Sequence, residues 1–395
     1  MSTLAAPLEQ VVGRAQTDPL RVLFVHSGNI FGGVERLLLA VAQHRGSAAG
    51  FDPEFAVAFD GRFQQELQTL GVVVHNVGAV RMRRPDLVLR SRNRLARVAR
   101  DREIDVAVTQ SSWSHAIFAG PLEAAGVPVV RWMHGLPHRH WLERLAGRRP
   151  PVLFVANSQF TASAVKRAVP GSTVRVCYGP VSLDGPVSDR SGLRRQVRAA
   201  FGTAESAVVF AQVGRMEGGK GYSEHLEALA RLPATINWEC WIIGAPQGAW
   251  QEGYRTRLEE QTRRLELGTR VRWLGTRHDV PSLLAAADIY CQPNTHPETF
   301  GVTFIEAMAA GLPVVTSDIG GGRELVDASC GVLVPPGDVD HLATVVARLA
   351  ADPGERTRLG AAGPARARQL TDPAMQVPAL ADLLRDAARV SKRAS

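Results

Sequence analysis

One stretch near the start of the chain reads Arg21-Val22-Leu23-Phe24-Val25-His26, followed by Ser27-Gly28-Asn29-Ile30-Phe31-Gly32-Gly33-Val34-Glu35. Its first part is a short apolar run that is typical of a buried strand, and a glycine-rich loop follows it. Leu37, Leu38 and Val41 then recur at helical spacing. The stretch therefore predicts a strand–loop–helix unit whose loop can approach a ligand closely through its glycines, or can be a plain tight turn.

The same unit recurs along most of the chain. Helical patterns separate most of the further apolar, strand-like runs, which lie at 55–59, 72–75, 104–109, 127–131, 152–156, 174–177, 207–213, 242–244, 271–274, 288–292, 312–316 and 331–334. Strands that alternate with helices predict α/β architecture with mostly parallel, doubly wound sheets. We expect two Rossmann-like domains with a ligand in the cleft between them, at the carboxyl ends of both sheets.

The domain boundaries follow from where this alternation stops. Between residues 179 and 190 the pattern gives way to Gly179-Pro180 and Gly185-Pro186 among serines and aspartates, which indicates a linker. We therefore predict a flexible tail at 1–19, an acceptor-side domain at 20–178, a donor domain at 191–370, and a C-terminal helix and tail at 371–395.

Composition narrows the class of protein. Hydrophobic residues make up 45% of the 395 residues and charged residues 21%, as in a globular protein. The sequence lacks an apolar run long enough to span a membrane, and its start lacks a signal-peptide pattern. Cys177, Cys240, Cys291 and Cys330 are far apart, so we expect buried thiols in a reducing cytoplasm.

The net charge of +8 favours an anionic partner. The excess is concentrated in residues 81–102, with nine arginines, and in residues 139–149, where Trp141 and leucines alternate with arginine. One interpretation is a solvated helix face. The other is a face that meets an anionic acceptor or the inner surface of the membrane. Nucleic acid is not expected, because no groove-reading pattern accompanies the charge.

Two carboxylates in the second half stand beside a predicted helix start. In the run Pro297-Glu298-Thr299-Phe300-Gly301-Val302-Thr303-Phe304-Ile305-Glu306, the apolar spacing predicts a helix that begins near Val302 and ends near Gly311. Glu298 then precedes the helix and Glu306 lies in its first turns. Such a helix start can hold an anion on free N–H groups of Phe300, Gly301 and Val302 while the carboxylates bind hydroxyls, which suits a sugar nucleotide.

The loop Gly214-Arg215-Met216-Glu217-Gly218-Gly219-Lys220-Gly221 follows the first strand of the second half. It is close to a phosphate-binding P-loop, but Gly221 stands where a Ser or Thr would hold magnesium. Arg215 and Lys220 remain as two cations that can neutralise a diphosphate without metal.

Two further segments have open interpretations. His134 ends a strand of the first half, where it is either a structural histidine or a group that binds a sugar hydroxyl or supports the reacting centre. Gly320-Gly321-Gly322 follows the strand near 312–316, and either contacts a ligand or makes a tight turn.

Together these motifs resemble the retaining glycosyltransferases of the GT-B fold, family 4, from residue 21 to about 368. Glu298 and Glu306 match the family's Glu-x7-Glu element, and Arg215 with Lys220 match its Arg and Lys pair. Further similarities are Gly32-Gly33-Val34-Glu35, Ala156-Asn157-Ser158-Gln159 and the segment from Gly320 to Glu324. The interdomain junction at Tyr178-Gly179-Pro180 and the loop at Gly218-Gly219-Lys220 depart from the usual family pattern.

The resemblance implies a role for each matching residue. Arg215 and Lys220 would stabilise the departing diphosphate, Glu306 would bind the ribose, and Glu298 would bind a hydroxyl of the transferred sugar. Backbone N–H groups near Phe300-Gly301 and Gly32-Gly33 would serve the phosphates. It also implies transfer with retention on one face of the sugar, without an enzymic nucleophile and without metal.

The sequence therefore predicts an enzyme that moves a sugar from a UDP- or GDP-sugar to a glycan or lipid-linked acceptor. Two alternatives stay open at this point. One is a P-loop-like nucleotide-hydrolysing protein based on the loop 214–221, and the other is a non-catalytic nucleotide-sugar-binding protein.

Overall fold

A computed structural model describes residues 19–29, 31–137, 140–183, 189–246 and 248–394. Of the predicted segments, nearly all of the tail at 1–19 and residues 184–188 of the predicted linker lie outside the described residues, as do Ile30 and Arg139. Within the described ranges, none of the helices is both long and apolar enough to cross a membrane.

The first half of the chain forms a seven-stranded parallel sheet in the order β3-β2-β1-β4-β5-β6-β7. Its strands are β1 Leu20–His26, β2 Phe51–Val57, β3 Val74–Asn76, β4 Val106–Thr109, β5 Val129–Met133, β6 Leu153–Ala156 and β7 Val174–Val176. Helices cover both faces: α1 Gly33–Gln43, α2 Arg62–Thr69, α3 Pro85–Asp101, α4 Ser112–Ala124, α5 Trp141–Ala146 and α6 Gln159–Ala168. Because both faces are covered, the strands read as continuous apolar runs.

The second half repeats the architecture with six parallel strands in the order β10-β9-β8-β11-β12-β13. These are β8 Val208–Val213, β9 Trp238–Ile243, β10 Val271–Gly275, β11 Ile289–Gln292, β12 Val314–Ser317 and β13 Gly331–Val334. Its helices are α7 Arg190–Phe201, α8 Tyr222–Ala230, α9 Ala249–Arg264, α10 Val280–Ala286, α11 Val302–Ala309, α12 Gly322–Leu325, α13 Val339–Ala351 and α14 Pro353–Thr371.

The last helix, α15 Pro373–Ala394, returns to the first half of the chain. Its apolar side chains, which include Val377, Leu380 and Leu384, are buried in the same core as Phe24 and Phe55 of the first sheet. The C-terminal helix therefore completes the first domain rather than extending the second.

The predicted fold class is confirmed: two parallel, doubly wound sheets face one another, and a helical segment ends the chain. The four cysteines are buried free thiols, as expected, and burial raises the pKa of Cys177 to about 12. Strand β2 begins at Phe51, before the predicted run at 55–59. The sequence pattern missed this start because Asp52, Pro53 and Glu54 are not apolar strand formers. Glu54 is tolerated there since its buried carboxylate pairs with His75 and Arg102 at 2.6 and 2.7 Å.

Candidate active site

A cavity of about 310 Å³ lies between the two sheets, at their carboxyl ends. It is bordered by the N-terminus of α1 from the first domain and by that of α11 from the second. Both helix ends carry partial positive charge and N–H groups without intrahelical partners. The cavity therefore suits a bound anion before any side chain is considered.

Two glycine loops let the domains approach at this point. At Gly33, a methyl group in place of the hydrogen would already touch Val302 Cγ2 at 3.6 Å. Gly32 donates its N–H to Glu35 Oε2 at 2.7 Å, and Glu35 Oε1 accepts a bond from His26 Nε2 at 3.0 Å. The Gly32 N–H that was predicted to serve a phosphate is thus bonded to Glu35 in this structure. Gly32 and Gly33 contribute backbone to the cavity wall.

The loop before α11 depends on glycine as well. Gly301 has φ of +102°, and a Cβ there would come within 2.4 Å of the Phe304 ring. Behind this loop, Gly321 donates its N–H to the Glu298 carbonyl at 2.6 Å, while Gly320 with φ of +67° leaves no room for a Cβ beside the same residue. The glycines at 320 and 321 therefore support the backbone of residues 298–300.

The predicted cations border the same cavity. The Lys220 ammonium forms an ion pair with Glu298 Oε2, and Arg215 Nη1 lies 3.1 Å from Glu217 Oε1. The side chain of Arg215 is about half exposed, at 54%, so its guanidinium can turn toward a ligand. The cations and the carboxylate Glu298 are thus within reach of one bound molecule.

The P-loop alternative conflicts with the backbone at Gly221. This residue has φ of +71°, and a Cβ there would lie 1.8 Å from the Pro293 carbonyl oxygen. A Ser or Thr hydroxyl for magnesium cannot be placed at this position. In addition, a 3₁₀ turn at Gly218–Lys220 interrupts the loop before α8 begins.

The second carboxylate, Glu306, contacts the first domain. Its Oε1 pairs with the guanidinium of Arg36 on α1, so one ion pair crosses the cleft. Arg36 and Val302 also border an adjoining cavity of about 410 Å³ that extends past Glu306 along α1 and α2. The site therefore continues from the cavity at the helix ends into a larger space beside Glu306.

His134 lines the first cavity from the acceptor-side domain. Its Nε2 lies 2.7 Å from Gln110 Oε1, and its Nδ1 is buried without a hydrogen-bond partner among the described residues. Burial, assisted by the nearby charge of His26, lowers the pKa of His134 to about 3. The imidazole is therefore neutral at physiological pH and, with Nε2–H directed to Gln110, offers Nδ1 as an acceptor.

A line of polar contacts joins the two domains beside the site. Thr299 Oγ1 donates to the His134 carbonyl at 2.9 Å, and Ser158 Oγ donates to the Thr299 carbonyl at 2.6 Å. Farther along, the Glu324 carboxylate accepts the N–H groups of Gln159 and Phe160, at 2.8 and 2.7 Å, at the start of α6. These contacts hold the loop 298–301 in register with the acceptor-side wall.

The structure brings together every site residue that the sequence predicted. Gly32, Gly33, His134, Arg215, Lys220, Glu298, Phe300, Gly301 and Val302 border the first cavity, and Glu306 borders the adjoining one with Val302. Four participants were not predicted: Arg36, Gln110, Asn157 and Thr299. Asn157 and Thr299 lie inside quoted motifs and could have been found there, whereas nothing in the sequence distinguishes Arg36 from other arginines.

Two family patterns match the chain. "Glycosyl transferases group 1" matches residues 194–366, and "Glycosyltransferase Family 4" matches residues 31–184. The two matches divide the chain where the two sheets do.

Relatives of known function are similar in part. The GDP-mannose-dependent monoacylated alpha-(1-6)-phosphatidylinositol monomannoside mannosyltransferase of Corynebacterium glutamicum is 29% identical, over 68% of this chain and 73% of its own length. The lipopolysaccharide core biosynthesis glycosyltransferase LpsE of Rhizobium meliloti is 31% identical, over 45% of this chain and half of its own length.

Solved structures are similar over nearly the whole chain. HepE of Anabaena, crystallised in complex with UDP and glucose, superposes with a TM-score of 0.80 and 25% identity, over 93% of this chain and 100% of that one. A glycosyltransferase from Rickettsia africae has a TM-score of 0.81 over 93% of this chain and 98% of its own. Its sequence identity is 18%, so this similarity shows the shared fold alone.

Proposed function

Because the chain belongs to the group 1, family 4 glycosyltransferases of the GT-B fold, we propose that it transfers a sugar from a nucleoside diphosphate sugar to a glycan or lipid-linked acceptor, with retention of anomeric configuration. The observation that carries this proposal is the meeting of two helix N-termini, two cations and Glu298 around one interdomain cavity, with Glu306 in the cavity that adjoins it.

The proposed division of roles follows the charges. Arg215, Lys220 and the N-terminus of α11 take the diphosphate, since they supply positive charge and N–H donors. Glu306 accepts hydroxyls of the ribose and Glu298 those of the transferred sugar, because a carboxylate suits paired hydroxyls and repels phosphate. Hydrogen bonds to charged groups contribute roughly 1.5–3 kcal/mol each. Donor binding exchanges the Lys220–Glu298 and Arg36–Glu306 pairs for contacts with the ligand.

In the proposed reaction, the bond between the anomeric carbon and the diphosphate oxygen breaks as the acceptor oxygen bonds to the same face of that carbon. The acceptor's proton moves to the departing phosphate oxygen. Negative charge grows on the diphosphate, so Arg215 and Lys220 stabilise the transition state more than the ground state. Neutral His134 accepts a hydroxyl hydrogen bond at Nδ1 and orients the sugar or the acceptor. We propose no metal, because these groups supply the charge that a metal would.

The donor and the stereochemistry are tested by incubating the purified protein with a panel of UDP- and GDP-sugars and following the released sugar by NMR. We expect slow hydrolysis of one donor, with the first product retaining the donor's anomeric configuration. Lys220→Ala should lower the rate at least tenfold, since it removes one charge-assisted contact. Release of the inverted anomer would contradict retention, and turnover of none of these sugars would contradict the proposed donor class.

We also propose that the enzyme works at the cytoplasmic face of a membrane. The two arginine-rich segments form one surface, because α3 and α5 both pack against α4, and a Cβ at Gly120 of α4 would lie within 3.3 Å of both Arg92 and Arg149. Leu89 and Trp141 are exposed on the same helices, at 59% and 47%. Basic side chains beside exposed apolar ones favour an anionic lipid surface.

Sedimentation with phosphatidylglycerol vesicles tests this surface. We expect binding at low salt that is lost at high salt and in the double variant Arg90→Glu/Arg97→Glu, because each basic residue near the surface contributes about 1 kcal/mol. Arg263→Glu/Arg358→Glu is the matched control, since it makes the same charge change on the other domain. Equal binding of both double variants would show that this surface does not face the lipid.

A further inference from the structure

Trp250 lies in the first turn of α9. It is 63% exposed, more than any other Trp, Tyr or Phe among the described residues. Its ring lies nearly parallel to that of Tyr254, with an interplanar angle of 9° and centroids 6.1 Å apart. Tyr254 is itself buried against the core of the second domain. One face of the tryptophan is therefore supported and oriented, while the other face is left to solvent.

A wide pocket of about 740 Å³ opens beside this ring. Gly218, Gly219 and Gly248 line it, and a Cβ at Gly218 or Gly248 would meet no atom within 4 Å among the described residues. Three polar side chains that line it, Glu217, Gln251 and His296, add hydrogen-bonding capacity. The pocket thus combines a flat apolar wall with open space and polar edges.

We propose that this pocket, the Trp250 pocket, binds a pyranose ring of a glycan chain. A pyranose has one face of C–H groups, which packs on an aromatic ring whose face is electron-rich, while its hydroxyls project from the edge. Trp250 supplies that ring, and Glu217, Gln251 and His296 supply partners for the hydroxyls. The site takes sugar hydroxyls and C–H groups, not phosphate, because the carboxylate of Glu217 lines it.

The Trp250 pocket is separate from the donor cavity, although one loop borders both. Glu217, Gly218 and Gly219 face the Trp250 pocket, while Arg215 and Lys220 face the donor cavity. Glu217 also pairs with Arg215. A glycan that leaves the cleft over this loop would place a remote ring on Trp250. The choice of a glycan rests on the proposed function, and it extends that function to acceptors several rings long.

The test is binding of the labelled full-length protein to an array of bacterial cell-surface oligosaccharides, followed by titration with the best-bound glycan. We expect Trp250→Ala to weaken binding roughly tenfold, because a ring contact of this kind contributes about 1 kcal/mol or more. Trp250→Phe should restore much of the affinity. Trp141→Ala, which removes an exposed tryptophan from the other domain, should bind as the wild type does.

Three results would overturn the proposal: no oligosaccharide retained by the wild type, equal retention by Trp250→Ala, or displacement of the glycan by UMP or GMP, which would assign the ring to a nucleobase. Titration of the same variants with UDP and GDP keeps this proposal distinct from the donor site. Trp250→Ala should keep its nucleotide affinity, and Glu306→Ala should keep its glycan binding. If the wild type binds a glycan but neither UDP nor GDP, the proposed transferase function is contradicted and the Trp250 pocket is not.

Discussion

His134 shows how burial fixes the chemical state of a residue. In the sequence it is one histidine after a strand, for which a structural role is the more frequent case and a site role stays open. The fold encloses it between Trp132 and the cavity, and burial lowers its pKa to about 3. Its charge therefore cannot contribute to catalysis near neutrality. The hydrogen bonds of its neutral imidazole can still contribute to catalysis.

The low pKa of His134 predicts a dependence of stability on pH. Between the ordinary histidine pKa of 6.5 and the lowered value, the unfolded chain binds a proton that the folded chain does not. The free energy of unfolding should therefore fall by about 1.4 kcal/mol per pH unit for this residue as pH decreases below 6.5. Urea unfolding of the wild type and of His134→Gln at pH 7, 6 and 5 measures the effect.

His134→Gln should show a shallower fall in stability from pH 6.5 to pH 5 than the wild type. His115, whose burial lowers its pKa to about 4, provides a matched comparison through His115→Gln. Identical pH dependence in the wild type and His134→Gln would mean that this imidazole takes up its proton in the folded state near the ordinary pKa.

The sequence predicted the charged residues of the site better than their partners. Glu298, Glu306, Arg215 and Lys220 have characteristic spacings beside helix starts, and spacing is visible in one dimension. Arg36 pairs with Glu306 from 270 positions away. Such a contact depends on how two separately folded sheets face each other, which no local pattern records.

Among the secondary-structure elements, the start of α6 forms hydrogen bonds between the two domains. Glu324, at the other side of the boundary, accepts two N–H groups of α6 and the hydroxyl of Tyr178 at 2.9 Å. A carboxylate at a helix N-terminus binds free donors and complements the helix dipole. The similarity of this segment to a family motif is thus explained by a structural contact between domains, away from the donor.

Glu324→Ala should separate domain positioning from donor recognition. It leaves two helix N–H groups without their partner, so we expect kcat for transfer to fall roughly tenfold or more while the affinity for the free nucleotide changes little. Glu324→Gln, which keeps an acceptor oxygen, should recover part of the rate. Steady-state kinetics with a separate nucleotide titration give both quantities. A loss of nucleotide affinity as large as the loss of kcat would place Glu324 in donor binding instead.

Elements were predictable to different degrees. Each strand of both sheets corresponds to a predicted apolar run, because buried parallel strands are uninterrupted in sequence. The helix over Val302–Ala309 begins and ends as its spacing and Gly311 indicated. The destination of α15 was not predictable, because an amphipathic helix pattern shows that one face is buried without showing which core buries it.

At the scale of the molecule, the active site belongs to neither domain alone. α1 and His134 come from the first sheet, while α11 and the two cations come from the second. Two helix N-termini meet at this cavity, so a bound anion would interact with both helix dipoles. Exclusion of water by that ligand would strengthen each interaction. The arginine-rich surface lies on the first domain, so an acceptor held at a membrane would meet the donor from that side.

The proposed donor site requires that Arg215 and Lys220 hold a nucleoside diphosphate between the domains. Calorimetric titration with UDP and with GDP tests it, using the wild type, Arg215→Ala, Lys220→Ala, and Arg358→Ala as an exposed control on α14. We predict that one nucleotide binds the wild type and the control equally, and that each cation variant binds it about tenfold to a hundredfold more weakly. If neither nucleotide binds, or if both cation variants bind as tightly as the wild type, the assignment of this cavity to a sugar-nucleotide donor is wrong.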